Sequence, residues 1–397
     1  MSAPAVPLRL AIIAGEESGD LLGADLVRAL KKSGGRPVEL IGVGGHHLQA
    51  EGLKSLFDPA EIALMGFTAV IGKLPRLLGR IGEAARAIAA AKPDCLVTID
   101  TPDFSLRVAR KVRAAAPGVP IVHYVCPSVW AWRPQRAAAM KPHVDHVLCL
   151  LPFEPDELAR LGGPPGTFVG HRLSHEPGLV AAAEAQRRHV LPAAGETRTL
   201  LVLPGSRTVE VKRLLAPFGA TVEVLRQRGQ RLRLLLPTVP HVRAMVEEGT
   251  ADWPQRPEIL HGADAKFQAF AEADAALSAS GTALLELAIA GVPMLSCYRL
   301  DAIIKLLSFL ITPWSAALPN LVADRLVVPE FYDGYVRPQY MARALEALLA
   351  DTELRRWQLS GFEEVRRRLA TDRPSGEIAA GVVLSTIGRP QRLAIGT

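Results

Sequence analysis

The sequence predicts an α/β fold built as two halves, on three observations. Continuous apolar runs of strand length recur along the chain, the mark of strands buried in a parallel sheet. Several of these runs end in a small, glycine-containing turn before a helical stretch. The alternation then starts again after a Gly/Pro-dense segment at 162–170, GGPPGTFVG, which reads as a domain boundary. We accordingly place one domain at 1–172 and a second at 173–397. The 397 residues suffice for two domains, and 49% hydrophobic with 22% charged content gives each a core.

Composition narrows the partners. A net charge of +6 favours an anionic one: a nucleotide, a phosphorylated substrate or an anionic membrane surface. No basic stripe interleaved with aromatics occurs, so nucleic acid is not expected. Cys95, Cys126, Cys149 and Cys297 lie far apart in apolar segments, with no CxxC or Cys/His cluster. That spacing predicts buried free thiols rather than zinc or disulfides. No signal-like start or membrane-spanning run is evident.

In the first half, Leu8–Ala14 (LRLAIIA) is a buried parallel strand that ends in the polar loop Gly15–Asp20 before a helix near Leu22. Open α/β sheets bind ligands at such loops, and this one is not the dinucleotide pattern GxGxxG. Val38–Val43 is a second strand, followed by the turn Gly44-Gly45. Asp58–Ile81 aligns apolar residues with Lys73, Arg76 and Arg80. A membrane-surface or acyl-binding segment and a plain packing helix both fit it. Strand Asp94–Ile99 ends at Asp100-Thr101-Pro102-Asp103, two carboxylates where catalytic groups sit, one free to cap a helix and one to do chemistry. Strand Ile121–Val125 enters Cys126–Arg133, whose Trp130, Trp132 and Arg133 must line a groove or a partner surface. Val144–Leu151 closes this half.

The second half restarts with strand Thr199–Leu203 and the turn Pro204-Gly205-Ser206-Arg207. Helix Val211–Gln227 and strands Leu232–Leu236 and Ile259–Leu260 follow. The stretch Ser278–Tyr298 (SASGTALLELAIAGVPMLSCY) then reads as turn, helix, glycine stop and strand. Small residues let backbone N–H groups approach a ligand, and the helix start adds partial positive charge, so this mouth suits a diphosphate. Glu286 shares a helix face with Thr282 and can accept two vicinal hydroxyls, as on a ribose. An ordinary βαβ unit with a solvated Glu286 remains open. Arg207 offers a planar donor fork for phosphate. No Asp-x-Asp triplet occurs, so leaving-group stabilisation by arginine and helix dipole is expected without a metal or other cofactor. Across from that mouth, Asp100 or Asp103 can take the proton of an attacking hydroxyl. Asp301–Leu318 is apolar but broken by Lys305 and Pro313, and Arg343–Leu369 reads as a charged amphipathic helix pair.

These residues carry a resemblance. AGEESGD at 14–20, IDTPDF at 99–104, HYVCPSVWAWR at 123–133, VGH at 169–171, PGSR at 204–207, SASGTALLELAIAGVPM at 278–294, PN at 319–320 and VPE at 328–330 resemble lipid-A-disaccharide synthases, in family order. The resemblance implies a GT-B type fold, two Rossmann-like domains facing a cleft, with C-terminal helices packing across domains or subunits. It implies transfer of 2,3-diacylglucosamine from UDP to 2,3-diacylglucosamine 1-phosphate with inversion, at the inner face of the Gram-negative inner membrane, by a peripheral enzyme that is plausibly a homodimer. Ser206, Arg207, Gly281, Thr282, Glu286 and Asn320 would then contact UDP. Asp100 would be the leading base candidate, with Glu16, Ser18 and Asp103 shaping the acceptor side and Asp58–Ile81 and Trp130–Arg133 receiving acyl chains and lipid headgroups. Ser105 and Arg172 depart from the family pattern, which often has Asn at the first and usually Pro at the second, and the role of Phe331–Gln339 stays open. Alternatives on the same scaffold are a UDP-sugar 2-epimerase, the lipid-linked transferase of peptidoglycan synthesis, or a non-catalytic nucleotide-sugar-binding protein. PSVWAWR and the basic apolar segment argue against the epimerase, PSVWAWR against the lipid-linked transferase, and the presence of Asp100, Asp103 and Arg207 against a non-catalytic protein.

Overall fold

The computed structural model describes residues 6–33, 35–63, 70–300 and 313–388, with the side chains of 63 and 70–74 left out. Two compact units emerge, Met1–Arg172 together with Thr371–Thr397, and Leu173–Ala370.

The first unit is a parallel sheet of β1 (Leu8–Ala14), β2 (Val38–Val43), β3 (Cys95–Ile99), β4 (Ile121–Tyr124), β5 (His146–Cys149) and β6 (Gly166–Phe168), in the order β2-β1-β3-β4-β5-β6. Side chains alternate along β1. Leu10, Ile12 and Ala14 enter one core with residues of the helix Glu17–Ser33, while Ala11 and Ile13 enter another with the helices Val70–Ala91 and Pro102–Ala115. Burial on both faces is why LRLAIIA reads as an unbroken apolar run.

The second domain, read from sequence as running to 397, ends earlier. The last described helix, Ser375–Ile387, places Ala379, Ala380 and Val383 in the first unit's core. Its Gly376 lies so close to the helix Glu17–Ser33 that a Cβ would sit 2.9 Å from the Asp25 carbonyl oxygen. A helix this apolar has to bury most of its surface, and the small residues let it lie flush against its neighbour.

The second unit repeats the plan with β7 (Arg198–Leu203), β8 (Leu232–Thr238), β9 (Glu258–His261), β10 (Ala275–Ala279), β11 (Met294–Tyr298) and β12 (Glu330–Tyr332), all parallel, in the order β12-β11-β10-β7-β8-β9. The segment Phe331–Gln339 supplies most of edge strand β12 and the turn Asp333–Tyr335, ahead of the helix Pro338–Leu348. The expected tail pair is that helix and Glu353–Leu369. Met341, Ala342, Leu345 and Leu348 of the first join the unit's core, and Gln358 of the second binds both backbone groups of Met294.

In each sheet the chain works outward from one strand and then returns to its other side. The reversals fall between β1 and β3 and between β7 and β10, and open parallel sheets hold ligands at the carboxyl ends of such strands.

Candidate active site

At the reversal of the second sheet lies a cavity of about 550 Å³ whose wall includes Gly205, Ser206, Arg207, Gly281, Thr282 and Glu286. Glycine is needed at two of these points. Gly205 has φ +111° and a Cβ there would lie 2.5 Å from Glu210 Oε2, and Gly281, with φ +133°, turns β10 into the helix Thr282–Ala290. That helix ends at Gly291, in the left-handed conformation expected of a glycine stop. Arg207 extends into solvent, its side chain 82% exposed, with Nη1 3.3 Å from Glu210 Oε1. The Glu210 carboxylate also accepts the Arg207 backbone N–H at 3.3 Å. On the other side of the turn, His241 Nε2 donates to the Ser206 carbonyl at 2.7 Å.

Glu286 is not the solvated carboxylate of the ordinary reading. Its side chain is 14% exposed, and Lys266 Nζ, also on the cavity wall, donates to both of its oxygens at 2.9 and 3.1 Å. Lys266 was not singled out by the sequence.

Asn320 sits differently from the expectation. Read as a nucleotide contact, it is fully buried and does not line the cavity. Its Oδ1 accepts the N–H groups of Val327 (2.8 Å) and Val328 (2.7 Å), and Nδ2 donates to the Val328 carbonyl (3.0 Å) and to Ser315 Oγ (3.1 Å). The amide is saturated by the loop it folds. Its influence runs through the backbone at 315–317, where Ser280 Oγ reaches the Ala316 carbonyl at 3.2 Å. Asn320→Ala therefore destabilises the fold by about 2–4 kcal/mol, because two buried N–H groups lose their acceptor. Denaturant unfolding checks this. A variant as stable as wild type that binds UDP more than tenfold weaker would return Asn320 to the nucleotide.

At the reversal of the first sheet stands Asp100, immediately after β3. Asp100 and Thr101 both take the left-handed conformation (φ +49° and +43°) before Pro102 opens the helix, a strained turn that aims the Asp100 side chain out of the strand. Ser105 helps to hold it: Oγ donates to the carbonyls of Asp100 and, at 2.8 Å, Thr101. Thr101 N–H donates to Asp100 Oδ1 at 2.8 Å. Burial raises the Asp100 carboxyl above the ordinary aspartate range, with the Thr101 N–H pulling the other way. The two carboxylates of this turn thus differ. Asp103 is exposed and ion-paired with Arg136 at 2.8 Å.

The loop carrying Glu16 and Ser18 borders the same turn, since a Cβ on Gly15 would lie 3.0 Å from Thr101 Oγ1. Glu16 and Ser18 are exposed at the start of the helix Glu17–Ser33. Asp20 behind them is buried and accepts the N–H groups of Gly45 (2.6 Å) and His47 (2.8 Å), tying this loop to the one after β2.

Trp130 is half-buried, edge-on to Phe153 at 5.3 Å, and its indole N–H donates to Glu154 Oε1 at 3.3 Å. Arg133 has φ +53° and lies 5.2 Å from the Trp132 ring. Glu154, which the sequence reading passed over, is buried, and Leu150 and Leu151 N–H groups donate to it at 3.0 Å. Burial pushes its carboxyl up to about 7 despite these donors. The four cysteines are free and buried. Spacing in the sequence concealed one grouping: Cys126 and Cys149 converge on Glu154, their ligand atoms within 4.8 Å of one another.

In the basic segment Arg76 and Arg80 both bind Glu61, at 3.0 and 2.8 Å, and Arg80 also covers the Phe57 ring at 4.7 Å. Lys73 lies outside the described side chains. Among the described residues no helix is long and apolar enough to cross a membrane.

A family model described as lipid-A-disaccharide synthetase matches residues 10–375. The curated lipid-A-disaccharide synthase of Nitrobacter winogradskyi is 46% identical over 383 residues, 96% of this chain and 96% of its own. Among solved structures, the Staphylococcus aureus MnaA–UDP co-structure has a TM-score of 0.61 at 14% identity, covering 98% of this chain and 100% of that one. Acinetobacter baumannii MurG has a TM-score of 0.59 at 14% identity, covering 96% and 99%. At that identity the two structures speak for the fold alone, two α/β units with parallel sheets of the GT-B type.

Proposed function

The chain belongs to the lipid-A-disaccharide synthase family, and from that premise we propose that it condenses UDP-2,3-diacylglucosamine with 2,3-diacylglucosamine 1-phosphate, releasing UDP with inversion. The match over residues 10–375 carries this reading, because that span includes Asp100 with its turn and every residue lining the cavity of the second unit.

In this reading UDP occupies that cavity. The diphosphate lies at the mouth of the helix Thr282–Ala290, Arg207 folds over it, and the Glu286 carboxylate accepts the ribose hydroxyls. Asp100 takes the acceptor hydroxyl's proton as the oxygen attacks the anomeric carbon opposite UDP. A carboxylate is a weak base for an alcohol, so the proton moves as the new bond forms, and burial makes Asp100 a better base than an exposed aspartate. Glu16, Ser18 and the Asp103–Arg136 pair border the acceptor side, and the Trp130–Arg133 loop meets lipid. We place the enzyme at the cytoplasmic face of the inner membrane, bound peripherally as a homodimer. Its net charge of +6 and the exposed Leu78 on the helix Val70–Ala91 support surface binding. Flotation with phosphatidylglycerol vesicles and light scattering test those two points, and an unbound or monomeric protein would remove them.

The reaction itself is tested by UDP release from the donor with detergent-dispersed acceptor, with and without chelator. The expected result is release that requires the acceptor and is indifferent to chelator. Release without acceptor would instead indicate transfer of the sugar to water, as in a hydrolysing epimerase, and binding without release a nucleotide-sugar-binding protein.

A further inference from the structure

Lys266 stands on the helix Ala263–Glu272, which begins at Gly262 (φ +85°) after β9. Its ammonium meets both Glu286 oxygens, at 2.9 and 3.1 Å, so it fixes the plane of the carboxylate as well as its position. The ammonium is itself held over two aromatic rings, 4.8 Å from the Phe267 centroid and 5.9 Å from that of Phe270. Only 28% of the Lys266 side chain and 14% of Glu286 are exposed, so the pair is partly desolvated and each charge depends on the other.

A carboxylate that reads a vicinal diol has to present one oxygen to each hydroxyl. Each oxygen offers about two lone-pair sites, so it can accept from the ammonium and from a hydroxyl together. Without the ammonium the glutamate regains its rotamers, and a half-enclosed negative charge loses its counter-ion. We propose that Lys266 is a positioning residue for sugar recognition: by chelating Glu286 it makes the cavity select a nucleoside diphosphate with an intact ribose diol over its 2′-deoxy analogue. The proposal rests on Glu286 as the ribose acceptor.

Calorimetric binding of UDP and 2′-deoxy-UDP to wild type, Glu286→Gln, Lys266→Met and Lys266→Arg tests it. Wild type is expected to prefer UDP by about tenfold or more, as for loss of a hydrogen bond to a charged group. Glu286→Gln and Lys266→Met bring the preference to about twofold, and Lys266→Arg, which keeps a paired donor, recovers part of it. If Lys266→Met kept the wild-type ratio, the proposal would be overturned. An equal loss for both nucleotides is that outcome, since it makes the lysine a phosphate contact or a fold element. If Lys266→Met failed to fold, the arginine variant would decide, a full wild-type loss of preference in it overturning a role carried by charge and donors. The ribose reading fails differently, by a wild type that ignores the 2′-hydroxyl or a Glu286→Gln variant that still discriminates.

Discussion

Asp100→Asn lowers acceptor-dependent UDP release by about 10²- to 10⁴-fold, the range for loss of a positioned general base, while UDP binding is unchanged. Asparagine is the right replacement because residue 100 has φ +49°. Asn enters the left-handed region readily, whereas Ala there adds backbone strain that would confuse lost chemistry with lost structure. The Asn oxygen can still accept the Thr101 N–H that the carboxylate accepts at 2.8 Å, so the turn is preserved and only the proton acceptor is removed.

Stability and rate then respond to pH in separable ways. The Asp100 carboxyl is raised by burial, so its contribution to stability is present below the unfolded value and lost as pH rises through the folded one. Asp100→Asn is therefore at least as stable as wild type at pH 8, with any advantage fading towards acid. The wild-type rate runs the other way. The base works only when ionised, so kcat/KM falls on the acid side through a pKa above the ordinary aspartate range. Unfolding midpoints and a pH profile measured on both proteins check the pair. Turnover above about a tenth of wild type in the asparagine variant would remove Asp100 as the base.

The placement of Asp100 and Arg207 just beyond strand ends was legible from sequence, because each follows an apolar run within a few residues and a parallel sheet gathers its carboxyl ends on one side. The same local grammar separates them from the residues it missed. Lys266 meets Glu286 across 20 residues and two elements, and Glu154 meets Trp130 across 24. Nothing local marks either contact, since a lysine or glutamate early in a helix ordinarily faces solvent. The burial of Asn320 was hidden for the opposite reason. A short turn motif fixes where the residue lies but not where its amide points, and two neighbouring valine N–H groups claimed it. The domain boundary at 172 rested on Gly/Pro density. The return of Ser375–Ile387 to the first unit is a tertiary choice, made by which core its Ala379, Ala380 and Val383 fill.

Arg207→Ala lowers kcat/KM by about 10²- to 10³-fold, comparable to removing one donor from an oxyanion site. The fall is mostly in kcat, because negative charge grows on the departing diphosphate as the bond breaks, and only interactions that strengthen in that state speed the step. Stability barely moves. The side chain is 82% exposed and pairs with Glu210, three residues on, a kind of contact that contributes little. Arg207→Lys falls between the two: it keeps the charge and loses the planar fork that can grip two phosphate oxygens. Magnesium supplies the decisive comparison. If the arginine and the helix mouth neutralise the leaving group, adding magnesium to Arg207→Ala restores nothing. Recovery to near wild type on adding the ion would mean that a divalent cation can carry the charge here, and the role given to Arg207 would have to be withdrawn.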